Sequence, residues 1–151
     1  GKEPIADINI KSSVLNSCEV TSGDVPNLID ELPILFIASC FAEGTSSFTD
    51  IAELKHKESD RLKAMQDGIN KMKIKNFLDG NVFCIEGMGK DYKSPNFLAE
   101  TYYDHRIAMS FAIAGLNSNS CIEIASPESI NTSFPEFVEL GKKLGCNFEI
   151  S

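Results

Sequence analysis

Apolar residues recur along this chain in two unlike patterns, and the contrast between them lays out its elements. Ile5 to Lys11 alternates apolar and polar side chains and predicts a strand. Cys18 to Thr21 predicts a second, shorter one before the turn-forming Ser22-Gly23-Asp24. From Leu32 the sequence becomes almost unbroken apolar as far as Ala42, where Glu43-Gly44 closes the run. A helix apolar on every side is a buried one, Pro33 fits only in its first turn, and Gly44 supplies a stop. Thr45 to Ile51 is β-branched and aromatic enough for a strand. Leu62, Met65, Ile69 and Met72 then return at three- and four-residue spacing, which predicts a helix from Glu58 to Lys71 with Ser59 as its N-cap and Asp60 as a first-turn acid. Two strands, Ile74 to Leu78 and Val82 to Glu86, flank the turn signal Asp79-Gly80 and predict a hairpin, and Gly87 to Pro95 reads as a polar loop.

A second buried helix begins around Asp104-His105-Arg106 and runs to Leu116. It copies the first. An offset of 74 residues sets Asp104 on Asp30, Ala112 on Ala38, Ile122 on Phe48 and Ser133 on Ser59 without a gap. In the second copy the later helix is expected from Phe134 to Leu144, with Pro135 in its first turn and Phe134, Phe137, Val138 and Leu144 facing inward, and Asn147 to Ile150 is the expected last strand. Strands alternating with helices in a period of this size imply an α+β fold of βαβαββ units, one complete at roughly residues 5–87 and one partial at roughly 88–151, within a single domain. Each unit is a sheet with helices on one face. Gly1-Lys2-Glu3-Pro4 leads straight into a strand without an initial Met, so the chain reads as a piece of a longer polypeptide.

Chemistry gathers where helices begin. Lys57-Glu58-Ser59-Asp60-Arg61 sets cations and acids at the mouth of one helix, where free N–H groups and the positive end of the macrodipole favour an anion. Glu58 is placed there as acid or base. Arg106 starts an otherwise apolar helix, so its guanidinium must stay out of the core, and its fork suits a carboxylate or a phosphate. Lys57, Arg61 and Arg106 together make a cationic cradle with Asp30 and Glu58 as its acids, an arrangement suited to transfer chemistry on a phosphorylated, carboxylated substrate. Asp30 has two readings, a helix cap or a carboxylate that takes a proton from a bound hydroxyl, whereas Asp104 is read as a cap. No Gly-rich phosphate loop and no metal-ligand cluster appears in the sequence, so neither a nucleotide nor a metal is expected.

Composition narrows the setting. A net charge of -8 argues against a general nucleic-acid binder, and the basic residues crowded between Lys55 and Lys75 suit a small anion better than a polyanion. The five cysteines lack CxxC spacing, which points to reduced thiols in a cytosolic protein, with no disulfide and no zinc. The longest apolar run is far shorter than the ~20 residues that span a bilayer, and the N-terminus has no signal pattern. A cytoplasmic protein without membrane or nucleic-acid partners is expected.

Five stretches now carry a resemblance: Asp30-Glu31-Leu32-Pro33-Ile34-Leu35, Phe41-Ala42-Glu43-Gly44, Glu53 to Arg61, Asp104 to Met109, and Ser133-Phe134-Pro135-Glu136-Phe137. In this order and spacing the chain resembles the 5-enolpyruvylshikimate-3-phosphate synthases (3-phosphoshikimate 1-carboxyvinyltransferases), over essentially its whole length and within that family's C-terminal third. The resemblance implies the inverse α/β barrel of the enolpyruvyl transferases. It also implies transfer of the enolpyruvyl group of phosphoenolpyruvate to the 5-hydroxyl of shikimate 3-phosphate with release of phosphate, a step of aromatic amino acid biosynthesis that uses no cofactor. Carried over, Asp30 is the proton acceptor near the 5-hydroxyl, Lys57 touches the same substrate, Glu58 exchanges protons with the phosphoenolpyruvate methylene, and Arg61 and Arg106 hold phosphoenolpyruvate. The family's missing N-terminal part would supply further contacts, so the chain alone is expected to be inactive. Thr132 departs from the pattern, since many members carry a lysine there. Two alternatives remain: a UDP-N-acetylglucosamine enolpyruvyl transferase relative, and a non-catalytic binding or scaffold module of the same repeat fold.

Overall fold

A computed structural model describes residues 5–118 and 120–149. Strand β1 (Glu19–Val20) leads through the single turn α1 (Val25–Leu28) into α2 (Leu32–Cys40), and β2 (Thr45–Thr49) follows. A 3-10 helix (Ala52–His56) precedes α3 (Arg61–Lys71), after which β3 (Asn76–Asp79) and β4 (Val82–Glu86) form a hairpin. The second part repeats the order with β5 (Phe97–Ala99), α4 (His105–Ser118), β6 (Ile122–Ile124), another 3-10 helix (Pro127–Thr132) and α5 (Phe137–Lys143). The offset of 74 lays β6 over β2, the second 3-10 helix over the first, and α5 over α3.

The first sheet has the order β1-β2-β4-β3, with β1 parallel to β2 and the other pairs antiparallel. Its inward residues alternate along the strands. Ser46 and Phe48 on β2 and Phe83 and Ile85 on β4 are buried, and the ring of Phe36 from α2 meets Phe48 and Phe83 edge-on at 4.7 and 5.1 Å. This places α2 on the sheet's inner face. Pro33 lies in its first turn, where a missing N–H costs nothing, and the chain reverses through Gly44 at φ 92°. Helix α3 turns Leu62, Met65 and Ile69 inward. Gly68 lets it approach α4 closely, because a Cβ there would stand 2.0 Å from the ring of Phe111. The second sheet is the parallel pair β5 and β6. The five cysteines are free thiols, and burial pushes that of Cys40 up to about 12.

Several expected elements differ. Ile5 to Lys11 is no strand: it pairs with no other segment among the described residues, and Ile5, Ile8 and Ile10 are 97, 82 and 88% exposed. Asn147 to Glu149 is likewise irregular, and Ile150 lies outside the described residues. The helix expected from Glu58 starts at Arg61, because Asp60 rather than Ser59 is its N-cap and accepts the Lys63 N–H at 3.0 Å. The helix expected from Phe134 starts at Phe137, since the Phe134 N–H is still bonded to the Ile130 carbonyl of the preceding 3-10 turn. Phe134 and Leu144 are exposed rather than inward, and Phe137 instead stacks on Phe148. Strand β2 stops at Thr49 because Asp50 takes a left-handed conformation at φ 60°, and β3 begins only at Asn76, the Ile74 N–H being still bonded to the Ile69 carbonyl of α3.

Candidate active site

Three helix starts converge on Arg61. The turn before α2 brings Asp30 and Glu31, the link from the first 3-10 helix into α3 brings Lys57, Glu58 and Arg61, and the corner before α4 brings Asp104 and Arg106. Helices α2 and α4 are apolar and largely buried and α3 buries one apolar face, which holds the three starts side by side. The guanidinium of Arg61 is wholly buried and bonds on every edge. Its Nε donates to Asp104 Oδ2 at 2.8 Å, its Nη1 to Asp30 Oδ1 at 2.9 Å, and its Nη2 to Glu58 Oε2 at 2.5 Å. Burial opposes its charge, but the Asp104 carboxylate outweighs that and, with Glu58 and Asp30, keeps the group more firmly protonated than a free arginine.

Lys57 stands on the open side of this cluster. Its ammonium lies 3.0 Å from Glu53 and 3.4 Å from Asp30, and the hydrogen bond to Glu53, then the charge of Asp30, raise it above the ordinary lysine value. Burial would push the Asp30 carboxyl up. Arg61, Lys57 and Arg106 outweigh that effect and hold it below the usual carboxylate value, hence ionised near neutrality. Asp30 and Glu58 nonetheless keep 48 and 54% of their side chains exposed, so both are open to solvent. Arg106 reaches across from α4, donating from Nη1 to the Asp30 carbonyl and to Glu31 Oε1, each at 2.7 Å.

All five residues singled out from the sequence therefore meet in one network: Asp30, Lys57, Glu58, Arg61 and Arg106. Asp30 is not the cap of α2, a position taken by Glu31 without a side-chain bond. Asp104 is more than a cap. Its Oδ1 accepts the Arg106 N–H at 3.0 Å as a cap should, but it is also fully buried against Arg61. Glu53 and Glu31 are further members that sequence reasoning missed. The i,i+4 spacing of Glu53 and Lys57 could have found the first, while Glu31 meets Arg106 only through the fold. Thr132 spends its hydroxyl on the Ser129 carbonyl at 2.7 Å, and α5 has no side-chain cap from it or from Ser133.

The cluster carries more carboxylates than cations, so an anionic ligand would have to take the Nη groups of Arg61 from Asp30 and Glu58. Among the described residues, no group of three or more His, Cys, Asp or Glu is placed to hold a metal ion, and no helix is long and apolar enough to cross a membrane.

Comparison with known proteins shows what the chain is similar to. Residues 2–140 match the family model of EPSP synthase (3-phosphoshikimate 1-carboxyvinyltransferase). The chain is 42% identical, over 99% of its length, to a 3-phosphoshikimate 1-carboxyvinyltransferase of Ruthia magnifica subsp. Calyptogena magnifica, and 43% identical over 99% to one of Zymomonas mobilis subsp. mobilis. Each time it covers 34% of the relative, so it spans about a third of the length of the curated relatives it matches. A solved EPSP synthase from Acinetobacter baumannii superposes with a TM-score of 0.84 at 40% identity, covering 91% of this chain and 32% of that one.

Proposed function

Because the chain belongs to the EPSP synthase (3-phosphoshikimate 1-carboxyvinyltransferase) family, we propose that it forms one wall of an active site that transfers the enolpyruvyl group of phosphoenolpyruvate to the 5-hydroxyl of shikimate 3-phosphate. The observation that carries this reading is the single network in which Arg61 joins Asp30, Glu58 and Asp104 while Lys57 and Arg106 flank it. The remaining contacts to both substrates come from the rest of the polypeptide. Residues 1–151 belong to one domain, with repeat units of roughly 5–87 and 88–151 in the inverse α/β barrel of the enolpyruvyl transferases. The setting is the cytoplasm.

In this reading Arg61 and Arg106 hold the carboxylate and phosphate of phosphoenolpyruvate, whose charge replaces that of Asp30 and Glu58 at the Nη groups of Arg61. Asp30, ionised and half exposed, accepts the proton of the 5-hydroxyl as its oxygen attacks the enol carbon. Lys57, beside Asp30, orients the same hydroxyl and steadies the carboxylate. Glu58, acting in its carboxylic acid form once the ligand has taken Arg61 from it, delivers a proton to the methylene, turning it into the methyl group of a tetrahedral intermediate. When the C–O bond to phosphate breaks, the phosphate leaves with the proton that Asp30 took from the hydroxyl, and the methyl group returns a proton to Glu58, restoring the enol ether. The proton balance closes within the site, so no further reactant is required.

The test is release of inorganic phosphate by the full-length polypeptide. It should require both substrates together, and a protein that holds the same fold but releases no phosphate with both present would be the scaffold module instead.

A further inference from the structure

We propose that Asp104 is a positioning residue that fixes the guanidinium of Arg61 against the first turn of α4, so that the two arginines are presented to phosphoenolpyruvate in one set geometry. The inference deepens the function proposed above and rests on it. One carboxylate oxygen, Oδ2, accepts Arg61 Nε at 2.8 Å and the Ser59 hydroxyl at 3.0 Å, and the other, Oδ1, accepts the Arg106 N–H at 3.0 Å. Asp104 and Arg61 both have fully buried side chains.

The contrast with the other two acids on Arg61 decides the roles. Asp30 and Glu58 are about half exposed and grip the Nη groups from the solvent side, where an incoming carboxylate or phosphate can replace them. Asp104 grips Nε from within, where no ligand reaches. Substrate binding would therefore exchange the partners on one side of the guanidinium and leave the other side fixed, which is how a flexible arginine keeps a set direction.

The backbone before Asp104 supports a demanding placement. Tyr102 and Tyr103 are consecutive left-handed residues at φ 52° and 60°, and the buried Thr101 just before them donates its hydroxyl to the Ala125 carbonyl at 2.7 Å. Such conformations persist where the surroundings over-determine them. A cap alone would not need this, since any N-cap acceptor at the surface would serve.

Asparagine separates the two roles, because it caps a helix about as well as aspartate but brings no charge to Arg61. In the full-length enzyme, Asp104→Asn should raise the Michaelis constant for phosphoenolpyruvate by about tenfold or more and leave that for shikimate 3-phosphate within about twofold. Unchanged constants, or an equal rise in both, would overturn the proposal, as would a lowered melting temperature with both constants intact. Should Asp104→Asn fail to fold, Ser59→Ala removes one bond from the same oxygen and keeps the charge. It should raise the phosphoenolpyruvate constant about two- to fivefold, and no change would overturn the idea. A readout without substrate separates this proposal from the enzymatic one: by nitrogen-15 NMR the Arg61 Nε–H should exchange slowly in wild type and rapidly in Ser59→Ala or Asp104→Asn. Rapid exchange in wild type contradicts the clamp whether or not phosphate is ever released.

Discussion

Nη1 of Arg106 lies 2.7 Å from the main-chain oxygen of Asp30, tying together two helix starts that are 76 residues apart in sequence. The same nitrogen also meets Glu31. A lysine at this position would keep the charge but lose the planar fork that lets one side chain hold a carbonyl and a ligand together. We expect Arg106→Lys in the full-length enzyme to raise the Michaelis constant for phosphoenolpyruvate about tenfold, with a smaller effect on turnover at saturation. A Michaelis constant equal to that of wild type would remove Arg106 from the binding site.

Asp30 and Lys57 give the fold opposite dependences at the two ends of the pH scale. The Asp30 carboxyl is held below its ordinary value of 3.8, so its stabilising contribution is present above that pH and is lost as pH falls through the lower, folded value. Lys57 is raised above 10.5, so its contribution is present below that pH and disappears as pH climbs through the higher, folded value. The difference in urea midpoint between wild type and Asp30→Asn should therefore stay flat from about pH 5 to 9 and shrink in stronger acid. A difference that grows on acidification would mean that Asp30 is not paired in the folded state.

Gly68 controls how closely α3 and α4 pack, and the site depends on both helices. A methyl group there would meet the Phe111 ring far inside contact distance. Phe111 is fully buried, so it has no free space into which to turn. Although alanine is the better helix former, we expect Gly68→Ala to destabilise by about 1–3 kcal/mol through overpacking. Chemical denaturation would detect this, and a gain in stability would show that the two helices can part without cost.

Local parts of this architecture are legible in the order of the amino acids. The buried helices α2 and α4 announce themselves by apolar runs closed with polar ends, and β3 and β4 by the residues between them. The gathering of Asp30, Lys57, Glu58, Arg61 and Arg106 is legible too, because all five stand at or just before helix starts, but the burial of Arg61 and the excess of carboxylates around it are not. Features that depend on partners distant in sequence are not. The alternation from Ile5 to Lys11 specifies a face for a strand but not an edge to pair with, and among the described residues it has none. Phe134 to Leu144 carries enough apolar residues for a long helix, yet the 3-10 turn from Pro127 claims the N–H of Phe134 first. Asp104 reads as an ordinary cap because its local sequence is that of one. Its burial against Arg61, 43 residues earlier, is a product of α3 meeting α4.

In the proposed reaction Asp30 and Glu58 are the proton-transfer groups of a site assembled around Arg61. That role is tested most directly by the rate of phosphate release from phosphoenolpyruvate and shikimate 3-phosphate in the full-length protein, comparing wild type with Asp30→Asn and with Glu58→Gln. Each variant should keep the wild-type melting transition to within a few degrees and lose about a hundredfold or more in turnover at saturating substrates, the usual scale for a positioned acid or base. Near-normal turnover by both variants would show that neither carboxylate transfers a proton in the reaction.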